Sequence, residues 1–126
     1  MKIEHLAIYV RDIETSRQFY CKYFGGRSSN KYHNPLKRFT SYFIRFESGC
    51  RLEIMHQPER VTHNAKENYG LHHFAFSVGS KEKVDELTDL FRSDGYIIFG
   101  EPRTTGDGYY ESVILDPDGN LVEITE

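Results

Sequence analysis

The sequence predicts an α+β fold in which one βαβββ module is written twice. The strand glutamates Glu53 and Glu123 are separated by the same number of residues as the turn glycines Gly49 and Gly119. In each half an alternating strand comes first, a helix with an apolar stripe follows, and further alternating strands complete the order. This internal repeat predicts two similar modules, each with one helix and one sheet.

The length predicts a single compact domain. A chain of 126 residues can bury a hydrophobic core, and aromatic residues make up 14% of it. We therefore expect 1–126 to be one domain built of two modules, about 1–57 and 70–126. The polar segment between the modules contains Pro58, which favours a linker.

The first module is predicted to hold a strand, a capped helix, an irregular segment and a hairpin. Asp12 is expected to cap the helix at its start, and Gly25 is expected to end it. Residues 27–38 are polar and predict a loop or an irregular strand. The hairpin strands are predicted at 39–46 and 51–55.

The second module repeats this order. A strand is predicted at 71–78, and Ser80 and Gly95 are expected to bound the helix. Residues 100–108 combine glycines with polar residues, which predicts a flexible loop. The last two strands, joined by an Asp-Pro-Asp-Gly-Asn turn, are predicted at 109–115 and 121–125.

Composition and charge exclude several classes of function. The net charge of −3 comes from both signs mixed along the chain, so no electrostatic footprint for nucleic acid or an anionic membrane is expected. The apolar runs are too short to span a bilayer. Cys21 and Cys50 have no disulfide or metal spacing. We expect a cytoplasmic protein.

Alternation in the strands places the histidines and glutamates opposite the apolar residues. Beside His73, Phe74 and Phe76 point to one face, whereas the small residues Ala75 and Ser77 share the face of His73. The strands that contain His5, Glu53 and Glu123 show the same arrangement. The face with the polar groups is therefore predicted to be hollow and free of the helix.

The four residues His5, Glu53, His73 and Glu123 are the candidate metal ligands. Each signal is weak alone, because a single strand His or Glu is usually structural or exposed; the matched placement in both halves favours a site. Two imidazoles and two carboxylates suit a divalent ion such as Zn²⁺, Ni²⁺, Co²⁺, Mn²⁺ or Fe²⁺. A site with open positions would polarise a carbonyl or hold an enediolate.

Five stretches of the chain carry a resemblance to a known family. They are His5–Val10, the helix with Phe19-Tyr20, Leu52–Ile54, His73–Val78 and Asp116–Glu123. Together they resemble the vicinal oxygen chelate superfamily, which includes glyoxalase, bleomycin-resistance proteins and extradiol dioxygenases. The resemblance implies paired βαβββ modules with cupped, mixed or antiparallel sheets, a metal in the cup, and a homodimer whose partner chain often completes the cup.

The four candidate ligands are similar by position to the His/Glu/His/Glu set of glyoxalase I. The resemblance implies a lyase or isomerase that acts on a small hydroxy-carbonyl or thiol-adduct substrate through a metal-stabilised enediolate. Zinc, nickel or cobalt is favoured, with manganese or iron as alternatives. Glu123 or Glu53 would be the catalytic base, and we favour Glu123.

Five further residues are candidates for substrate binding. Where glyoxalase I commonly has an Arg and an Asn for glutathione, this chain has Tyr9 and Gln57, which makes glutathione itself doubtful. Arg103 is a candidate for an anionic substrate group, although a loop Arg is more often solvated. Tyr109 and Tyr110 border a glycine-containing loop and would close over substrate, or serve as ordinary strand aromatics.

Two other functions stay open. In the first, His5, His73 and Glu123 form the metal triad of a dioxygenase or thiol transferase, with Glu53 a bystander. In the second, the protein binds and sequesters a hydrophobic small molecule without metal, as bleomycin-resistance proteins do. Replacement of Glu53 by Gln separates the four-ligand set from the triad.

Overall fold

The computed structural model describes residues 3–60, 71–106 and 108–126. The chain divides into two compact units, Met1–His63 and Asn64–Glu126. Each unit has one long helix and one sheet with parallel and antiparallel pairs, which confirms the predicted α+β class. Most of the predicted linker lies outside the described residues, and the grouping of both units into one domain stays a prediction.

The first unit follows the predicted order, with two short strands in its irregular segment. Its elements are β1 (His5–Tyr9), α1 (Ile13–Phe24), β2 (Arg27–Ser28), β3 (Tyr32–Asn34), β4 (Phe39–Arg45) and β5 (Arg51–His56). The sheet order is β1-β5-β4-β2, and β3 also pairs with β4. β1 runs parallel to β5, whereas the other pairs are antiparallel.

The second unit repeats this architecture. Its elements are β6 (His73–Ser77), α2 (Lys81–Ser93), β7 (Ile98–Thr104), β8 (Tyr110–Leu115) and β9 (Leu121–Thr125). The sheet order is β6-β9-β8-β7, with β6 parallel to β9. In both units the first strand thus pairs in parallel with the last, and the last strand lies inside the sheet.

Both predicted helix caps are confirmed. The Asp12 carboxylate accepts hydrogen bonds from the backbone N–H groups of Glu14 and Thr15, at 3.0 Å each. The Ser80 hydroxyl accepts one from the backbone N–H of Lys83 at 3.3 Å. These bonds satisfy donors that the first helical turn leaves without a partner.

The apolar strand residues predicted to face the helices form the core. In the first unit the buried strand residues include Ile44, Leu52 and Ile54, together with Phe19 and Tyr20 of α1. In the second unit the corresponding set is Ile114, Val122 and Ile124, with Val84 and Phe91 of α2. Burial of this face leaves the opposite face of each sheet for the His and Glu side chains.

The prediction of a loop at 100–108 is wrong in its first half, because Gly100–Thr104 belongs to β7. β7 is the last strand in its sheet order, and its register with β8 shifts on both sides of Gly100. An edge strand with such irregularities accommodates Pro102, which has no N–H to donate, and its polar sequence hides the strand pattern. Glu101 ties the strand to α2 through two hydrogen bonds from Arg92, at 2.9 and 2.7 Å.

The two hairpin turns share one backbone design. Gly49 and Gly119 each have φ of 85°, a conformation that glycine adopts without a side-chain clash. Each donates its N–H to the carbonyl three residues earlier, on Phe46 and Asp116, at 3.0 Å. In the second turn the buried Asp116 carboxylate also accepts from the N–H of Asn120 at 2.8 Å, and from that of Asp118.

Replacement of Asp116 by Ala is expected to lower the free energy of unfolding by about 2–4 kcal/mol, because two backbone N–H groups lose a charged acceptor. Chemical denaturation followed by circular dichroism measures the change. Glu47, exposed in the first turn, gives the matched control, and Glu47→Ala should change stability by no more than about 0.5 kcal/mol. Equal effects of the two substitutions would contradict this role of Asp116.

Candidate functional site

Parallel pairing brings one His and one Glu to the same face in each unit. Ala7 is the register partner of Glu53, and Ala75 is that of Glu123. The histidine lies two residues before each alanine, so it shares the face of the glutamate. A small alanine beside each carboxylate leaves room on this face.

In the second unit the two candidate ligands meet. The His73 Nε2 atom lies 3.3 Å from an Oε atom of Glu123. The His73 side chain is 42% exposed, whereas that of Glu123 is 17% exposed. The carboxylate is therefore largely shielded from solvent, whereas the imidazole beside it is more exposed.

In the first unit His5 has a different partner. Its Nδ1 lies 2.5 Å from Oε2 of Glu4, and its ring packs edge-on against Phe43 with centroids 5.5 Å apart. Glu53, half-buried, pairs in register with Phe43 on the other flank of its strand. The structure gives no hydrogen bond or ion pair between His5 and Glu53, although both lie on one face.

Arg51 links several groups on this face. Its Nη2 lies 2.5 Å from Oε1 of Glu4, and its guanidinium lies over the Phe43 ring at 4.1 Å. The hydrogen bond from Arg51, followed by that from His5, lowers the pKa of Glu4 to about 2. The hydrogen bond to Glu4, followed by attraction to the charges of Glu4 and Glu53, raises the pKa of Arg51. The buried Nε of Arg51 has no hydrogen-bond partner among the described residues.

His72 is a neighbour of the candidate site that the sequence did not single out. Its Nδ1 lies 2.8 Å from Nδ1 of His73, so one of the two rings donates and the other accepts. The residue before each candidate ligand histidine thus contacts its Nδ1. Both Glu4 and His72 precede the first residue of a strand, where alternation no longer dictates the direction of a side chain.

The predicted substrate residues Tyr9 and Gln57 lie together. The Tyr9 hydroxyl donates to Oε1 of Gln57 at 3.4 Å. Arg60 adds a cation: its guanidinium lies 3.5 Å from the Tyr9 ring centroid, and its Nε donates to Gln57 at 3.4 Å. Sequence reasoning missed Arg60, because it lies in a polar segment without strand or helix periodicity.

The other predicted substrate residues have different positions. Arg103 lies on β7, not in a loop. Its Nη2 lies 3.7 Å from Oε1 of Glu111. The register partner of Glu111 is Thr125, two residues from Glu123 on the same strand. Tyr110 donates its hydroxyl to Asp85 of α2 at 2.7 Å, so it lies on the helix side, away from His73 and Glu123. Tyr109 is 58% exposed.

No group of three or more His, Cys, Asp or Glu side chains within metal-binding reach occurs among residues 3–60, 71–106 and 108–126. Each unit offers a pair of suitable donors. Within the same ranges, no helix is long and apolar enough to cross a membrane.

Comparison with known proteins agrees with this geometry. The family model described as the Glyoxalase/Bleomycin resistance protein/Dioxygenase superfamily matches residues 2–124. The chain belongs to this superfamily. Its sequence is 30% identical to the uncharacterized protein YqjT of Bacillus subtilis, over 97% of this chain and 96% of that protein.

Solved structures give the same fold. A glyoxalase family protein from Enterococcus faecalis has a TM-score of 0.82 at 24% identity, covering 99% of this chain and 97% of that one. A trypanothione-dependent glyoxalase I from Leishmania major has a TM-score of 0.80 at 26% identity, covering 100% and 86%. For glyoxalase I from Zea mays the TM-score is 0.79 at 21% identity, and the chain spans 44% of that protein. These solved structures confirm the predicted fold.

Proposed function

We propose that this protein is a metal-dependent, glyoxalase-type lyase or isomerase that acts on a small hydroxy-carbonyl or thiol-adduct substrate. The observation that carries the proposal is the pair formed by His73 and Glu123, whose Nε2 and carboxylate oxygen lie 3.3 Å apart on the helix-free face of the sheet. The same strand pairing puts His5 and Glu53 on the helix-free face of the first unit. Membership of the superfamily supports this reaction type.

The donor types fit a divalent transition metal. Imidazole nitrogen and carboxylate oxygen suit zinc, nickel or cobalt, with manganese or iron as alternatives. We propose that His5 and Glu53 supply one pair of ligands and His73 and Glu123 the other, from one chain or from two copies in a homodimer. A bound ion would supply Lewis-acid polarisation of a substrate oxygen.

Glu123 is our choice for the general base. In the proposed reaction it takes a proton from the carbon next to the substrate carbonyl and returns that proton to the neighbouring carbon. Its side chain is only 17% exposed, which limits loss of the transferred proton to bulk water. Glu53 is the alternative base.

Tyr9, Gln57 and Arg60 support a substrate with an anionic group. The guanidinium of Arg60 is held over the Tyr9 ring, and Gln57 accepts from both. An arginine presented in this way suits a carboxylate or phosphate. The Leishmania major relative depends on trypanothione, which supports the same reaction type on an adduct other than that of glutathione.

The second candidate function uses the triad of His5, His73 and Glu123, as in a dioxygenase or thiol transferase. The observation that favours it is the difference between the glutamates: Glu123 contacts His73, whereas Glu53 makes no described contact with His5. In this candidate Glu53 is not a ligand.

A cytoplasmic location and a homodimer belong to the same proposal. Cys21 and Cys50 are both free thiols in the structure, as is usual for proteins in a reducing compartment.

Metal content is the first test of the proposal. Elemental analysis of untagged wild type should find a near-stoichiometric transition metal, and His73→Ala and Glu123→Ala should lose it because each removes a donor. Tyr110→Phe, on the helix side of the same sheet, serves as the control and should retain the metal. Wild type without metal after reconstitution would reject both enzyme candidates and favour a metal-free binding protein.

Replacement of each glutamate by glutamine distinguishes the two enzyme candidates. Glu123→Gln should lower kcat about 10²- to 10⁴-fold, because it removes the proposed base. With four ligands, Glu53→Gln should also lower metal content or rate. Steady-state kinetics and metal analysis give both readouts. Full activity and metal content in Glu53→Gln would favour the triad.

The anionic group of the substrate is tested with Arg60→Ala. We expect KM for an anionic adduct to rise about 10-fold with little change in kcat, since the charge is needed for binding and not for chemistry. Arg38→Ala is the matched control, because Arg38 is also exposed but pairs with Glu59. Equal KM values for wild type and Arg60→Ala would remove Arg60 from substrate binding.

A further inference from the structure

Glu4 contacts both His5 and Arg51 through its carboxylate. One carboxylate oxygen lies 2.5 Å from Nδ1 of His5, and the other lies 2.5 Å from Nη2 of Arg51. Phe43 supports both partners, with the imidazole edge-on to its ring at 5.5 Å and the guanidinium over the ring at 4.1 Å. Arg51 therefore restrains the Glu4 carboxylate, and the carboxylate restrains the His5 imidazole.

We infer that Glu4 is a positioning residue, which fixes the tautomer and ring direction of His5. An ionised carboxylate only accepts hydrogen bonds, so the proton of a neutral His5 ring must lie on Nδ1. The lone pair then lies on Nε2, the atom left for a metal ion or a substrate proton. The use of this tautomer in metal binding rests on the proposed function, but the tautomer itself does not depend on a metal.

The described residues of the second unit place no carboxylate at Nδ1 of His73. Its equivalent neighbour, His72, is an imidazole that can donate or accept, so its 2.8 Å contact does not choose the tautomer of His73. Leu121 is the register partner of His73, where Arg51 is the partner of His5. Among the described residues, the repeat therefore keeps the two ligand positions but places a carboxylate at Nδ1 only in the first, since the carboxylate near His73, that of Glu123, lies at Nε2.

An ordinary surface ion pair is the competing explanation, since Glu4 and His5 are both partly exposed. Such a pair would contribute little to stability and would not select a tautomer. A direct reading of the tautomer thus separates the two explanations, whereas a stability measurement does not.

The test uses metal-free full-length protein with ¹⁵N-labelled histidine, studied by long-range ¹H–¹⁵N NMR at about pH 8, where histidine is mostly neutral. Wild-type His5 should be in the Nδ1–H form, and Glu4→Ala should convert it to a mixture of tautomers. Glu4→Asp should restore part of the preference. Glu59→Ala, which removes the exposed carboxylate paired with Arg38, is the control and should leave His5 unchanged.

Zinc titration of the same variants supplies a second readout. Glu4→Ala should weaken zinc affinity about 10- to 100-fold, as is usual for the loss of a carboxylate that orients a ligand histidine. Arg51→Leu, which places the second unit's residue at this register position, should weaken it less because Glu4 remains.

The outcomes separate the two hypotheses. An unchanged His5 tautomer in Glu4→Ala overturns the positioning role, whatever the zinc affinity. A changed tautomer supports that role, and it does so even if wild type fails to bind zinc. If wild type binds none of zinc, nickel, cobalt, manganese and iron in the same titration, the proposed metal function is rejected and the positioning role is left intact.

Discussion

The parallel pairing of the first and last strand in each unit is the constraint on which the candidate site depends. Register partners in such a pair share a face of the sheet. Ala7 is aligned with Glu53, and Ala75 with Glu123. The histidines, two residues before these alanines, therefore lie on the same face as the glutamates. A shift of one residue would turn every side chain of a strand to the other face. The hydrophobic core prevents such a shift, because it would expose the apolar set.

The helices decide which face of each sheet is open. Residues such as Ile54 and Ile124 are fully buried on the helix side, and the glutamates next to them in sequence necessarily point away. The tight turns between the last two strands hold the antiparallel register. In the second turn the Asp116 side chain accepts a further hydrogen bond from a backbone N–H. The equivalent residue of the first turn is Phe46, whose side chain has no acceptor.

The two units share a backbone plan but have acquired different surroundings for the His/Glu pair. In the second, His73 contacts Glu123 directly. In the first, His5 contacts Glu4, which Arg51 also holds. A duplicated module keeps the strand positions because the core enforces them, whereas exposed neighbours are free to diverge. The two His/Glu pairs thus have the same donor types but different neighbouring residues.

The sequence by itself determined the α+β class, the repeat, both helix caps and the faces of the four candidate ligands. These depend on alternation and capping, which act between residues close in the chain. It did not predict β7, because an edge strand with Pro102 and an irregular register lacks a clear alternating pattern. Only the tertiary structure decided that Arg60 lies on Tyr9, that Tyr110 faces α2, and that Glu4 contacts His5 while linked to Arg51. These contacts join side chains across strands or beyond strand ends, where periodicity gives no direction.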